Sequence, residues 1–410
     1  MKNIFSWNST KILSWLFVSN VFKSLTQWAI LVILVKFYAT EEVGEYTYAL
    51  AIASPFFMLT DMQLKSILVV EPSGETDNYN TFLTIRIITI LITILGFNVY
   101  FWITGRTSWI IIAVIGYKAV ESMLDILYGY LQMKDKMIWM AKSDVFKNLV
   151  ALVICFSITL FMREIFSSLA SLVLVSLFFV LFNYHVIKRY LTDGSLSCPS
   201  IVAALDVVKK SLPLGVSVFL VSYITNYPRI VVEQVCGVET LAYLGAYSYL
   251  AIGIFQISAP FQTFLRQRLS TAYQNGRKDE FKRKISRTII GFMVYGLFFI
   301  MVFAVLGDVI IGLLYKESYV AMSGVVKLML LYELIFTLAG FLATAVLSFN
   351  IYTKQVYISA VVLLIVVVLS RFMISNDGLY GVAYVGCIAA FIQLSCYGYL
   401  YFDKLKKWQA

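Results

Sequence analysis

The chain has few charged residues, a single histidine and no regular spacing of its cysteines. Each of these features excludes a class of protein. Charged residues make up 14% of the 410 residues and apolar residues 60%, which excludes a soluble domain and indicates a polytopic membrane protein. The single histidine, His185, and five cysteines without metal or disulfide spacing give no metal site. Since P-loop and Ser/His/Asp patterns are also missing, we expect no cofactor and no enzymatic activity.

What the sequence has in abundance is long apolar stretches. A membrane-crossing helix needs about 20 such residues, and on that basis the sequence predicts an all-α protein with twelve spans. The predicted spans cover residues 12–36, 44–70, 82–104, 108–131, 144–162, 166–187, 212–235, 241–265, 286–306, 321–348, 356–374 and 379–402.

The basic residues predict the orientation of these spans. With the N-terminus inside, 24 of the 33 lysines and arginines fall on the inner side and 5 on the outer side. The positive-inside rule then places both termini in the cytoplasm and explains the net charge of +10 without nucleic acid. The basic segment 266–287 predicts a helix on the inner membrane surface that faces anionic lipid. Four bases remain deep inside spans: Lys23, Lys118, Arg229 and Lys327.

Two features divide the chain into halves. The turn-rich sequence TDGSLSCPS at 192–200 predicts a cytoplasmic linker over 191–211, between six-helix lobes at 1–190 and 212–410. The sequence GEYTY at 44–48 recurs as GAYSY at 245–249, about two hundred residues later. Because the spans that contain the two copies run in the same direction, the pattern predicts a parallel internal repeat.

The seventh predicted span carries a polar stripe. Ser222, Asn226, Arg229 and Glu233 follow at spacings of four, three and four, so they share one helical face. An arginine inside a span costs about 2.5–3.5 kcal/mol and usually faces a bundle interior or a water-filled cavity. Pro228 predicts a kink beside it. Two interpretations stay open: a structural ion pair between Arg229 and Glu233, and a cationic patch in a substrate pathway.

Other spans also carry charge on one face. Lys23 has no carboxylate on its own helix, so it either pairs with another helix or binds a ligand, whereas Lys118 has Glu121 within reach. We predict that substrate binding involves Arg229, Lys23, Lys118 and Asn226. The candidates for ion coupling are Asp61, Glu121, Asp125 and Glu333.

Two stretches give the chain a family resemblance. The segments YATEEVGEYTYALAIASPFFMLTDMQLKSILV (38–69) and SLPLGVSVFLVSYITNYPRIVVEQVCGVETLAYLGAYSYL (211–250) resemble the corresponding regions of Wzx-type flippases, which serve O-antigen, lipopolysaccharide and capsule synthesis. The resemblance implies the fold of multidrug and toxic-compound extrusion (MATE) transporters, with two six-helix lobes around a central cavity. It also implies export of an undecaprenyl-diphosphate-linked oligosaccharide across the bacterial inner membrane by alternating access, beside a polysaccharide polymerase and a chain-length regulator.

Two other functions are weighed against this one. A drug or cation antiporter of the related extrusion family would favour a cavity dominated by carboxylates, and the intramembrane lysines and Arg229 argue against it. A polysaccharide polymerase or glycosyltransferase would need a sizeable outer loop with catalytic residues. The short outer connections argue against that enzyme.

Overall fold

Every secondary-structure element in the described part of the chain is a helix, as the sequence predicts. The structure is a computed structural model and describes residues 7–70, 75–189, 201–349, 351 and 353–408. Its α-helices are α1 (Trp7–Phe37), α2 (Thr40–Asp61), α3 (Leu64–Val70), α4 (Glu75–Thr104), α5 (Trp109–Met133), α6 (Met137–Met162), α7 (Ile165–Lys188), α8 (Ile201–Cys236), α9 (Val238–Phe255), α10 (Ser258–Gln274), α11 (Lys278–Leu314), α12 (Gly324–Ser348), α13 (Thr353–Asp377) and α14 (Leu379–Lys407). A 3₁₀ helix, Glu317–Met322, precedes α12.

Each predicted span corresponds to one helix or to two helices in tandem. The second span is α2 and α3, the eighth is α9 and α10, and the tenth joins the 3₁₀ helix to α12. Ten segments of the described residues are long and apolar enough to cross a membrane, which makes the chain a multi-pass membrane protein. α5 does not reach that standard because Lys118, Glu121 and Asp125 all lie in it.

The chain divides into two compact units at Ser222 and Tyr223, inside α8. In the first unit α5 is the central helix and packs against α2, α3, α4, α6 and α7. In the second unit α12 is central and packs against α9, α10, α11 and α14. These two helices are the fourth and the tenth predicted spans, so each is the fourth of its set of six, which agrees with the parallel repeat.

The predicted linker falls only partly on described residues. Its turn-rich sequence at 192–200 lies outside them, whereas residues 201–211 form the start of α8. Val207 of that start packs in the core of the first unit. Ile224, further along the same helix, packs against Val362 and Val385 in the second unit. α8 continues as one helix through Pro228.

The break between α2 and α3 places Asp61 at a helix end. The two residues in the break, Met62 and Gln63, both have left-handed backbones, with φ of 47° and 54°. Such a conformation costs of order 1–3 kcal/mol for a residue other than glycine, so the surroundings must hold it. A Cβ added to Gly215 of α8 would lie 2.7 Å from the carbonyl oxygen of Leu59 and 3.0 Å from the Cα of Met62. Only glycine therefore lets α8 pack directly onto the break.

The prediction of a separate surface helix over 266–287 is wrong. α10 ends at Gln274 and α11 begins at Lys278, and a turn with Gly276 at φ 69° joins them. The 37 residues of α11 extend about 55 Å, well beyond a hydrocarbon core of about 30 Å. The basic run is thus the end of α10 and the start of α11, and α11 is long enough for its charged first turns to lie outside the apolar layer.

Candidate functional site

The charged face of α5 is the centre of the site in the first unit. α5 begins after Ser108, whose hydroxyl accepts a hydrogen bond from the Ile110 amide at 3.2 Å and so caps the helix. Lys118, Glu121 and Asp125 follow at spacings of three and four and share one face. Their partners come from α1, α2, α3, α4, α6 and α7, so the charges join most helices of the unit.

A buried lysine of α6 organises one half of this face. The Nζ of Lys147 lies 2.6 Å from Glu121 Oε1 and 3.8 Å from Asp144 Oδ1, and only 2% of its side chain is exposed. Ser176 donates to the same Glu121 oxygen at 3.0 Å, and Ser19 donates to Asp144 at 2.8 Å. Each of the two carboxylates here has a positive charge and a hydroxyl donor beside it, which a buried ionic group requires.

A buried arginine of α4 organises the other half, next to the α2/α3 break. Arg86 is fully buried and forms an ion pair with Asp61, while Ser122 donates to the same carboxylate. The Nη2 of Arg86 lies 3.9 Å from Asp125, and Lys65 binds Asp125 from the other side of the break at 3.1 Å. Within the described residues, Nε and Nη2 of Arg86 have no hydrogen-bond partner. These ion pairs therefore connect the residues on both sides of the break, Asp61 and Lys65, to α4 and α5.

The two predicted lysines lie at the open side of this network. Lys23 lies 4.0 Å from Glu121 Oε2, and 41% of its side chain is exposed, so it pairs across helices but only loosely. Lys118 is half-buried and lies within electrostatic reach of Lys23, Glu121 and Asp61. The partner that the sequence suggested for Lys118 was Glu121, but that carboxylate binds Lys147 of α6.

The network as a whole has a surplus of positive charge. Its members are the cations Lys23, Lys65, Arg86, Lys118 and Lys147 and the carboxylates Asp61, Glu121, Asp125 and Asp144. Five cations against four carboxylates leave a net charge of +1. Since Lys23 and Lys118 are the least tightly paired of the cations, the surplus lies where an anion can reach it.

The predicted site residues of the second unit form a smaller cluster. Nη1 of Arg229 donates to Asn226 Oδ1 at 3.2 Å, and the guanidinium carbon lies 5.7 Å from the ring centroid of Tyr249 on α9. Glu333 of α12 is near enough to interact electrostatically with Arg229. The expected grouping of Asn226 and Arg229 is therefore present, with Glu333 as a neighbouring carboxylate. Lys327, another intramembrane base, is exposed on α12.

The internal repeat reappears in the surroundings of two tyrosines. Tyr48 and Tyr249 are the final residues of the two repeat copies. The guanidinium of Arg106 lies 6.0 Å from the ring centroid of Tyr48, and that of Arg229 lies 5.7 Å from the ring of Tyr249. Arginine–ring pairs are attractive at exposed sites as well as at buried ones, so each copy of the repeat supplies an aromatic ring beside an arginine.

Sequence reasoning missed the two buried cations at the heart of the network. It assigned Arg86 and Lys147 to the inner ends of spans, because the predicted spans begin at residues 82 and 144. The helices in fact begin at Glu75 and Met137, so both cations lie about three turns inside. The first turns of both helices contain charged and polar residues, so the apolar stretches that defined the predicted spans begin later than the helices themselves. A possible sequence signal for Arg86 is that it follows Asp61 by 25 residues, on the next predicted span. That spacing alone does not show that the two side chains meet, which depends on the fold.

The fold is one that solved membrane transporters share. A MATE family multidrug transporter in its inward-facing conformation superimposes with a TM-score of 0.72, covering 95% of this chain and 96% of that one at 13% identity. The lipid II flippase MurJ in an inward closed conformation superimposes with a TM-score of 0.75, covering 95% of this chain and 87% of that one at 15% identity. At these identities the likeness establishes the fold, which is the one that the sequence resemblance implied.

The sequence places the chain in a protein family. The profile of the polysaccharide biosynthesis protein family matches residues 9–266, more than half of the chain, so the protein belongs to this family. It is also similar to the capsular polysaccharide biosynthesis protein CapF of Staphylococcus aureus, at 25% identity over 304 residues, 73% of this chain and 75% of the relative. Multi-pass architecture, transporter fold and polysaccharide family agree with one another.

Proposed function

We propose that the protein is a flippase that moves a lipid-linked oligosaccharide across the bacterial cytoplasmic membrane by alternating access. The substrate is an undecaprenyl-diphosphate-linked repeat unit of O-antigen or capsule. The observation that carries the proposal is the charge network inside the spans, with its surplus of one positive charge, in a member of a polysaccharide biosynthesis family. A diphosphate is an anion that such a surplus attracts, while the polyprenyl chain stays in lipid.

Lys23 and Lys118 are the proposed phosphate-binding residues of the first unit. Both have a loosely paired ammonium group, whereas Lys147 and Arg86 are buried and held by carboxylates. A loosely paired cation can exchange its carboxylate for a phosphate without stranding a buried charge. Lys147 and Arg86 then serve to keep the carboxylates beside them in place.

Arg229 and Asn226 are the proposed binding residues of the second unit. A guanidinium binds a diphosphate through two parallel hydrogen bonds, whereas an ammonium is a point charge. Tyr249 covers one face of the guanidinium and Asn226 holds one nitrogen, so the side chain is oriented before a ligand arrives. This pre-organisation reduces the entropy that binding must overcome.

Substitution of Arg229 separates a binding role from a structural one. Arg229→Lys should reduce export in part, and Arg229→Ala should reduce it severely while the protein stays in the membrane at normal abundance. A structural pair with Glu233 predicts another pattern, in which Arg229→Ala lowers abundance and the double change with Glu233→Ala restores abundance and export. Membrane abundance and surface polysaccharide, measured for each variant, decide between them, and rescue by the double change would remove the binding role.

Ion coupling is the proposed role of the predicted carboxylates. The charges and hydroxyl groups beside each carboxylate indicate which one is the strongest candidate. Glu121 is held by Lys147 and Ser176, and Asp61 is held by Arg86 and Ser122. Glu333 has Arg229 as its neighbouring charge. We therefore expect Glu333→Gln to change the dependence of transport on the proton or sodium gradient more than Glu121→Gln does, since a carboxylate in a close ion pair resists protonation.

Matched lysine variants test the proposed binding site. Lys23→Ala and Lys118→Ala should each lower export at unchanged membrane abundance, because they remove a cation from the open side of the network. Lys327→Ala, at an exposed intramembrane lysine of α12, is the control and should export normally. Equal export by all three variants would contradict the proposed site.

The topology and the partners form part of the same proposal. Both termini are cytoplasmic, as the distribution of the basic residues predicts, and the division into lobes at the 191–211 linker stays a prediction. A polysaccharide polymerase and a chain-length regulator would use the product on the outer side.

The carboxylates of the network support the antiporter alternative less well than transport of an anion, because each of the four carboxylates lies beside a cation.

A further inference from the structure

A groove runs along the surface of the second unit between α13 and α14. Its volume is about 470 Å³ and its lining is almost entirely apolar, which is within the size range of sites that hold a small ligand. From α13 it is lined by Lys354, Tyr357 and Ile358, and from α14 by Ser395, Cys396 and Tyr399. The spacings of three and four on each helix put these side chains on facing stripes. The groove lies wholly outside the charge network and the Arg229 cluster.

The shape of the groove follows from the sizes of its side chains. Leu400 is buried and Ile358 and Cys396 are half-buried, so these side chains form the floor, whereas Tyr357 and Tyr399 project at the edges with 69% and 73% of their surfaces exposed. Exposed tyrosines are typical of the boundary between hydrocarbon and water. The trough therefore has an apolar floor and aromatic walls, a form that suits an extended hydrocarbon chain.

One end of the groove is positively charged. Lys354 lies in the first turn of α13, and Lys404 and Lys407 lie in the last turn of α14. All three act electrostatically on Asp403, which pairs with Lys407 at 2.8 Å. Three lysines against one carboxylate leave a net charge of +2 at this end. Lys354 can lie along the apolar lining and keep its ammonium group in water, as long basic side chains do at membrane interfaces.

We propose that this groove binds an anionic glycerophospholipid, with an acyl chain along the apolar floor and the phosphate at Lys354. Basic pockets between helices at the cytoplasmic side of a membrane bind anionic headgroups, and the C-terminal end of α14 is on that side in the predicted topology. A neighbouring protein helix would need the apolar floor but not an excess of two positive charges at one end. A zwitterionic lipid would leave the same excess unbalanced. The proposal does not depend on the flippase function.

The native cysteine in the groove floor provides the test. In a variant whose only cysteine is Cys396, purified in dodecyl maltoside micelles, we expect phosphatidylglycerol to slow labelling by N-ethylmaleimide at least fivefold relative to phosphatidylcholine. A variant whose only cysteine is Cys387, on the same helix but outside the groove, is the matched control and should label equally in both lipids. Glycerol phosphate, which lacks acyl chains, should give no protection.

Substitution of the lysine completes the test. Lys354→Gln should remove the protection of Cys396 by phosphatidylglycerol, and Lys354→Arg should keep it, whereas a loss in both with unchanged labelling of Cys387 would overturn the role of the positive charge at Lys354. Equal labelling in the two lipids would overturn the proposal. Full protection in Lys354→Gln would also overturn it. Protection by a polyprenyl monophosphate but not by phosphatidylglycerol would show that the groove takes a different lipid and would overturn it as well.

Discussion

The ion pair between Lys147 and Glu121 gives a quantitative prediction about what holds the first unit together. Lys147→Met removes a buried cation and leaves Glu121, which is 16% exposed, and Asp144, which is 12% exposed, without their closest positive charge. Loss of one partner of a buried ion pair costs about 3–5 kcal/mol. Ser176, Ser19 and the loosely paired Lys23 remain beside the carboxylates, so the expected loss is at the lower end, about 3 kcal/mol.

Arg86→Met provides the comparison. The carboxylates that it leaves behind, Asp61 and Asp125, are 30% and 41% exposed, and Asp125 keeps Lys65 at 3.1 Å. Water and the second lysine compensate part of the lost charge, so Arg86→Met should destabilise less than Lys147→Met. The expected order of destabilisation follows from the exposure of the carboxylates that each variant leaves behind, since the ion pairs are otherwise similar in chemistry.

The assay is unfolding of the purified protein by sodium dodecyl sulfate, followed by circular dichroism. Lys147→Met combined with Glu121→Gln should recover part of the loss, with a coupling energy of about 1–3 kcal/mol between the two positions. A loss below about 1 kcal/mol for Lys147→Met, or the reverse order of the two single variants, would refute the view that these buried pairs stabilise the unit. Strict additivity in the double variant would show that Lys147 and Glu121 act independently.

Three other predictions concern the fold. Gly215→Leu should lower membrane abundance sharply, because its side chain would meet the backbone at Leu59 and Met62, whereas Gly253→Leu, at a helical glycine with open space around it, should not. Reporter fusions in the turn at Gly276 and after Lys407 should give cytoplasmic signals, and an external signal from either would refute the topology. Co-expressed halves divided within 192–200 should reassemble with partial export, and complete loss with both halves stably inserted would count against this boundary.

The sequence predicts the positions of the long helices well because hydropathy acts over about 20 residues and tolerates local irregularity. It does not predict where a helix is interrupted. Neither Met62 nor Gln63 is a glycine or proline that would signal a break, and their left-handed backbones depend on α8, whose Gly215 comes 152 residues after Gln63. Long-range packing of this kind leaves no local pattern to read.

The candidate site was predictable where one helix carries the whole pattern. The spacings of Lys118, Glu121 and Asp125 on α5, and of Asn226 and Arg229 on α8, placed these residues on shared faces, and the structure agrees. The partners on other helices were not predictable. Glu121 binds Lys147 of α6 at 2.6 Å rather than Lys118 of its own helix, and the spacing of three on α5 gives no sign of a partner on another helix.

Translocation of a lipid-linked oligosaccharide in proteoliposomes tests the central claim most directly. The purified protein is reconstituted with a fluorescent polyprenyl-diphosphate oligosaccharide, and a membrane-impermeant quencher reports the fraction of lipid that reaches the outer leaflet. We expect rapid, protein-dependent translocation that Lys118→Ala slows and Lys327→Ala leaves unchanged. A protein that leaves the lipid in its original leaflet, yet exchanges a cationic drug for protons in the same vesicles, would contradict the account.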